Sequence, residues 1–329
     1  MAFSGIRAAY EQNSLVRFRA KNPASGRDLE IKAMVKSSSR LKWKLATIGF
    51  HLNRFSTLPR AERLFRDIEL GTLLERGLFG HRFVCDVSRA GPQKLLYLIG
   101  ERYVSEAGLV RSLLATGMNV IDVGANIGYY TLLFAQVVGP QGRIIAIEPS
   151  PENLPELRLN VERNKLRNVE IIPKAVGNAQ TRVGLRSGIN SGVVRDDTTP
   201  AYSVEQDLID NIITEPIDFM KLDVEGYEGF ALEGAQRVLS KYRPIVFVEI
   251  HPLELKQCGW GVSPIINRLS CVYDKLTMYE ERDMSGFYKK VCFYYAGMSS
   301  IQEIADQELY VSRCDTGEIR KPFWVVCRT

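Results

Sequence analysis

The chain has 329 residues, long enough for one large domain with extensions, and its 45% hydrophobic and 25% charged content is that of a globular protein. It holds no repeat, no low-complexity tract and no run of about 18 apolar residues, which excludes solenoid, disordered and helix-spanning membrane classes. The net charge of +5 is unevenly placed: residues 1–66 carry 14 Lys/Arg against 4 Asp/Glu, the remainder 29 against 34.

Residues 1–80 read as a basic, mostly helical N-terminal extension, with loops at "KNPASGRD" and "FSTLPRAE". The first residues lack the apolar centre of a secretion signal. Within the extension, Leu41, Leu45, Ile48, Leu52 and Phe55 recur at helical spacing, with Arg40, Lys42, Lys44 and Arg54 off that stripe. Such a helix leaves room for peripheral contact with an anionic membrane. Trp43 and Phe50 lie opposite the stripe, however, which favours packing against the body or a partner subunit, and so a homo-oligomer. Two short strands around a Gly-Pro turn are expected over Gly80–Gly100, then a helix over Ser105–Ala115.

From residue 119 strands and helices alternate. "NVIDV", "GRIIAIEP", "NVEIIPKAV", "IDFMKLDV" and "RPIVFVEI" read as strands with continuous apolar runs. "IGYYTLLFAQVV", "PENLPELRLNVERN" and "YEGFALEGAQRVL" read as helices, the first stopped by Gly139-Pro140. Apolar strands separated by helices predict a mostly parallel sheet covered on both faces, an α/β fold. Residues 81–260 form this core, and residues 261–329 add strands such as "KKVCFYYA" and "FWVVCRT" that close one edge in antiparallel sense and complete the acceptor pocket. The six cysteines are scattered with no C-x-x-C pair, which predicts a reduced, cytoplasmic protein.

The turn after "NVIDV" selects the cofactor. A dinucleotide fingerprint G-x-G-x-x-G would need a glycine where Asn126 stands, and Gly128 comes one residue early. Asp122, two residues before Gly124, would repel a pyrophosphate and suits a cofactor with an ammonium group. Glu148 ends the next strand, 20 residues after Gly128, where an acid can accept hydrogen bonds from both ribose hydroxyls. A ribose reader, a glycine turn and a carboxylate for a cationic tail match S-adenosylmethionine.

"VIDVGANIGYYTLLFA", "GRIIAIEPSPENLPELRLNVERN", "IDFMKLDVEGYEGFALEGAQRVLSKYRP" and "VFVEIHP" together resemble the FkbM-type S-adenosylmethionine-dependent methyltransferases over roughly residues 95–255. The resemblance implies a class I, Rossmann-like fold with a mostly parallel seven-stranded sheet and helices on both faces. It also implies O-methylation of a hydroxyl on a sugar, glycan or natural product. By that likeness Asp122, Gly124, Asn126 and Gly128 surround the amino-acid part of the cofactor and Glu148 holds the ribose. Members often carry a Leu-Asp pair before the fourth strand; in "VEQDLID" only Asp207 corresponds.

Methyl transfer requires that the acceptor oxygen be aimed at the methyl carbon and its proton be taken up. Asp223 ends one strand, and Glu249 and His251 share one face of another. If those strands are neighbours, as the family implies, Asp223, Glu249 and His251 converge above the sulfonium as catalytic candidates. His251 has a free pKa near neutrality, as a base requires. Glu225 and Glu228 are explained by the positive end of a helix. No dedicated metal motif is present, so Mg²⁺ or Mn²⁺ is admissible in a carboxylate-rich site but not expected.

Three other readings are weaker. A nicotinamide-dependent oxidoreductase is opposed by the missing glycine and by Asp122. A non-catalytic cofactor- or partner-binding protein would have no need of an acceptor site. A nucleic-acid methyltransferase would carry an Asn-Pro-Pro-Tyr type loop where "DVEGYE" stands.

Overall fold

The computed structural model describes residues 17–21, 28–32, 71–89, 96–97, 104–188, 192–194, 199–281 and 301–329. The chain divides into two compact units, Met1–Leu73 and Leu74–Thr329. In the first, β1 (Arg17–Lys21) pairs antiparallel with β2 (Asp28–Lys32). These described parts are strands where a mostly helical extension is expected. "RFRAK" and "DLEIK" alternate polar and apolar residues with period two around a Pro- and Gly-containing turn, a hairpin signal. The basic helix expected over Arg40–Phe55 lies outside the described residues.

The second unit opens with β3 (Leu73–Leu78) and β4 (His81–Asp86), joined through Phe79 and Gly80, both at positive φ. The described strand partner of β4 therefore precedes it; of the partner expected after Gly91-Pro92 only Leu96 and Tyr97 are described, and they are helical. There follow α1 (Val104–Ser112), β5 (Val120–Val123), α2 (Tyr129–Val138), β6 (Ile144–Ile147), α3 (Leu154–Arg163) and β7 (Val169–Ile172). Next come β8 (Ala175–Val176), β9 (Thr181–Leu185), β10 (Tyr202–Asp207), α4 (Ile209–Ile212) and β11 (Phe219–Leu222). After them run α5 (Glu228–Glu233), α6 (Gln236–Tyr242), β12 (Ile245–Ile250), α7 (Pro252–Gln257), α8 (Val262–Ser270) and β13 (Lys275–Glu281). The chain ends with β14 (Ile301–Glu303), α9 (Gln307–Asp315) and β15 (Phe323–Arg328).

Among the described residues the main sheet has eight strands in the order β14-β13-β15-β12-β11-β5-β6-β7. The five strands from β7 to β12 are parallel; β15 is antiparallel to both its neighbours, and β14 to β13. "FWVVCRT" thus enters the sheet between β12 and β13 rather than at its edge, because an antiparallel strand can be inserted between two parallel ones once the chain has passed β13. "KKVCFYYA" lies outside the described residues. β14 adds one strand to the expected seven. A separate small sheet, β8-β10-β9, stands beside the main one.

Alternate side chains of the central strands face opposite ways. Ile121, Val123, Met220, Leu222, Val246 and Val248 belong to one buried cluster with Leu232, Leu239, Leu255 and Ile265. On the other face Phe219 meets Phe134 of α2 with ring centroids 5.6 Å apart. The single helix expected over Tyr227–Leu239 is two, α5 and α6. A Cβ on Gly234 would fall 2.0 Å from the Gly177 carbonyl, and Asp210 accepts the backbone N–H groups of Arg237 and Val238 at 2.8 Å each, so a new helix starts there. Asp207 also binds locally, accepting from Lys174, Gln180, Asn211 and the Leu208 N–H. Burial opposes its charge, but Lys174 and the other donors hold its pKa down at about 2.

A side-chain ladder ties β4 to α3. Glu156, Asn160 and Asn164, at successive steps of four, accept the backbone N–H groups of Asp86, Val84 and Arg82 at 2.8, 2.7 and 2.8 Å. Asn160 and Asn164 also donate back to the carbonyls of Val84 and Arg82, at 2.9 and 2.7 Å, and Asn160 reaches the Ile127 carbonyl at 2.8 Å. An edge strand is thereby closed by a helix rather than by another strand. Asn160→Leu strands the buried Val84 N–H. At about 1–3 kcal/mol per unsatisfied buried group, it should cost roughly 3 kcal/mol in urea denaturation, and the half-buried Asn164→Ala less than half of that.

Candidate active site

The chain order reverses at β5. From β5 it runs outward through β6 and β7, then returns to β11 on the other side. Such a switch point opens a crevice beyond the strand ends. Here a cleft open to solvent lies at that point. Gly124, Asn126, Glu148 and Asn153 line one side, Asp223, Glu225 and Tyr227 the other, with Val176, Leu185 and Val193 as an apolar wall.

The turn is built by backbone geometry. Gly124 has φ +79°, and a Cβ there would stand 1.8 Å from the Asp223 carbonyl, so only glycine lets β5 and β11 converge. Its N–H and that of Ala125 both donate to the Ile147 carbonyl at 3.0 Å. Asn126 holds φ +52°, and Gly128, at φ +95°, starts α2 against Leu157. Glu148 pins the turn: its carboxylate accepts from the Asn126 and Ser150 N–H groups, each at 2.8 Å, and from Asn153 at 3.3 Å. Burial nevertheless raises its pKa to about 7 against those hydrogen bonds.

Of the cofactor residues expected from sequence, Gly124, Asn126 and Glu148 border the cleft, and Gly128 shapes the helix start. Asp122 is placed differently. It is fully buried behind the turn, not on the cleft wall, and accepts from Thr131 Oγ1 at 2.7 Å. Its other oxygen lies 3.9 Å from Lys221 Nζ. The reason is register: Asp122 pairs with Lys221 across β5 and β11, so both side chains leave the sheet on the face covered by α2.

Lys221 was not singled out by sequence and is central to the site. Its ammonium, 1% exposed, lies 3.0 Å from Asp223 Oδ2 and 4.9 Å from the centre of the Tyr130 ring. Burial alone would lower its pKa, but Asp223 and Asp122 raise it, so the charge is kept. Tyr130 in turn donates to the buried Glu106. A lysine inside an otherwise apolar central strand was the available signal, since a buried charge requires a partner.

Asp223, Glu249 and His251 do converge. His251 Nε2 stands 4.0 Å from Asp223 Oδ1, 3.7 Å from Glu249 Oε1 and 3.5 Å from Glu225 Oε2. Its Nδ1 is hydrogen-bonded at 2.9 Å to Glu228, which is fully buried and also accepts the Gly226 N–H. Glu228 is therefore an anchor for His251 and not only a helix-end charge. The expectation of a near-neutral imidazole also changes. Burial would lower the His251 pKa, but Glu228, Glu249 and Asp223 lift it well above its ordinary value.

The parallel strands in the order β7-β6-β5-β11-β12, continued by antiparallel β15 and then β13, with the glycine turn at the switch point, define the class I methyltransferase fold. Comparison with known proteins agrees: the family model of the methyltransferase FkbM domain matches residues 122–276. Shorter likenesses reach a protein-L-isoaspartate O-methyltransferase of Methanothrix thermoacetophila, 41% identical over 59 residues, 18% of this chain and 28% of that protein. A probable cobalt-precorrin-6B C(15)-methyltransferase of Sulfolobus acidocaldarius is 38% identical over 64 residues, 20% of this chain and 33% of its own. The chain thus spans a third or less of these curated relatives. A solved FkbM methyltransferase from Methylobacillus flagellatus aligns with 75% of this chain and 52% of its own, at 18% identity and a TM-score of 0.41. Among the described residues no helix is long and apolar enough to cross a membrane.

The energetic weight of Lys221 is testable. Lys221→Met leaves buried Asp122 and half-buried Asp223 without the Lys221 charge, a loss of about 3–5 kcal/mol. Chemical denaturation at pH 7 should show it. The deficit should shrink at acid pH, where both carboxylates become neutral, and Asp122→Leu in the same chain should recover part of it.

Proposed function

We propose that this protein is an S-adenosylmethionine-dependent O-methyltransferase acting on a hydroxyl of a sugar, glycan or natural product. One observation carries the reading: Asp223 and Glu225 line the cofactor cleft and also face His251. The place for the cofactor and the place for proton uptake therefore adjoin.

The donor set suits S-adenosylmethionine. Close backbone approach at Gly124 leaves room for the amino-acid part beside the turn. Glu148 lies at the carboxyl end of β6, with lone pairs beyond its backbone contacts to accept the ribose hydroxyls, and the apolar wall suits a flat base. Carboxylates on the β11 side favour the sulfonium and ammonium charges. In methyl transfer the acceptor oxygen forms a bond to the methyl carbon while the carbon–sulfur bond breaks, and the hydroxyl proton leaves. Asp223 and Glu249 would orient that hydroxyl and the cluster with His251 would take the proton. As a coupled set, these groups share protons rather than titrate singly. This reading places His251, Asp223 and Glu249 in the catalytic role, and Asp122 behind the site as the partner that keeps Lys221 charged.

Two outcomes follow. Glu148→Ala should weaken S-adenosylmethionine binding by roughly 2–3 kcal/mol in titration calorimetry. Because the buried Glu148 of the ligand-free protein takes up its proton near pH 7, native affinity should also fall as pH drops from 8 to 6. Unchanged affinity in the variant, or tighter binding of NAD, defeats the cofactor assignment. For the chemistry, labelled cofactor incubated with cell extract identifies the acceptor by mass spectrometry. On that acceptor Asp223→Asn should lower kcat by about 10²–10⁴-fold. An acceptor methylated on nitrogen or carbon, or near-native turnover in the variant, would overturn O-methylation at this cluster.

A further inference from the structure

The groups around His251 are arranged as ion ligands more than as hydrogen-bond partners. The Nε2 distances of 3.5, 3.7 and 4.0 Å exceed the roughly 2.7–3.2 Å of a hydrogen bond. They match the roughly 3.0–4.2 Å separating donor atoms that share one cation at about 2.1 Å. Asp223, Glu249 and His251 each offer one ligand atom, all within 4.8 Å of one another.

The surroundings orient those atoms. His251 is 5% exposed, and its Nδ1–H is engaged by buried Glu228, which turns Nε2 toward the cluster. A histidine whose second ring nitrogen is held by a carboxylate is the usual support of a metal ligand. Lys221 holds Asp223 by Oδ2 alone and leaves Oδ1 directed at Nε2. Glu225 reaches the same point from a turn in which it and Gly226 both have positive φ.

Charge argues in the same direction. Four carboxylates, Asp223, Glu225, Glu228 and Glu249, surround one imidazole, while the Lys221 charge is shared with Asp122. Glu228 is buried and the other three are half-buried, so their surplus of negative charge is costly, and a dication offsets it.

We propose that Asp223, Glu249 and His251, with Glu225 beside them, bind a divalent first-row cation of the Mn²⁺ type at the edge of the cofactor cleft. Two hard carboxylates with one imidazole suit Mn²⁺ better than Mg²⁺, and three protein ligands leave coordination positions open. Since Asp223 and Glu225 line the cleft, those positions face the acceptor side. This deepens the methyltransferase reading and rests on it for the substrate class: an acceptor with two adjacent hydroxyls, which chelates the ion. With His251 Nε2 occupied as a ligand, the hydroxyl made more acidic by the ion gives its proton to Glu225, and its oxygen bonds the methyl carbon as the carbon–sulfur bond breaks.

The test begins with Mn²⁺ alone, added to the native full-length chain after EDTA treatment and dialysis, without cofactor, and followed by the free Mn²⁺ resonance signal. One ion per chain should bind. Glu249→Gln should weaken binding about 10–100-fold with the circular dichroism spectrum unchanged, and Glu228→Gln should do likewise through misplacement of His251. Should either variant fail to fold, competition by Zn²⁺ for the native site and relaxation of His251 proton resonances by bound Mn²⁺ locate the ion instead. Native protein that leaves the free signal undiminished at roughly millimolar metal, or Mn²⁺ bound with equal affinity by folded Glu249→Gln, overturns the site. Full methyl transfer by EDTA-treated enzyme does so too, and leaves the methyltransferase reading intact.

Discussion

The ammonium of Lys221 is the charge on which the site is assembled. It sits in the central strand β11, where the β5 register brings Asp122 to its side and Asp223 follows two residues later. A single buried cation thus holds the end of the cofactor turn and the start of the acceptor cluster in one arrangement. Two carboxylates share its enclosure and raise its pKa against burial; Lys221 in turn, with His251, lowers that of Asp223 and opposes the rise that burial gives Asp122. Tyr130 and Glu106 extend the same polar seam into α2 and α1, so the face that packs the helices is also the face that sets the site's electrostatics.

The remaining acids are not balanced in this way. Burial and the neighbouring Asp223 charge raise the Glu249 pKa, and burial raises that of Glu225 to about 7. Burial and mutual repulsion oppose ionisation of these groups, so the cluster costs folding energy, which is the usual relation between stability and function at a binding site. Glu148 is likewise buried on the other side of the cleft, its pKa raised by burial to about 7.

Much of this was legible in the chain. Continuous apolar runs such as "VIDV" and "IVFV" announced a sheet covered on both faces, and the spacing of Gly124, Gly128 and Glu148 announced the turn at its switch point. What could not be read was anything set by strand order. Asp122 looks like a cofactor contact until its pairing with Lys221 is known, because two strands distant in sequence decide which way it points. Glu228 looks like a helix-end charge until His251, 23 residues on, is brought against it. The antiparallel entry of β15 beside β12 depends on where β13 lies, and "KLTMYEE" has no clean period to mark it as a strand. The N-terminal strands were legible by period two but were outweighed by the basic helical pattern that follows them.

The ladder between α3 and β4 also acts as a gauge of length. Four residues of helix advance about 6.0 Å, while two residues of strand advance about 6.8 Å. Each rung therefore slips by about 0.8 Å relative to the last. Centred on Asn160, the rungs at Glu156 and Asn164 fall short by that amount, which flexible side chains absorb. A fourth rung would be out by about 1.6 Å and could not form a hydrogen bond. The mismatch of two periods thus limits the ladder to the three rungs at Arg82, Val84 and Asp86. Any lengthening of this part of the chain has to be taken up in the connections on either side.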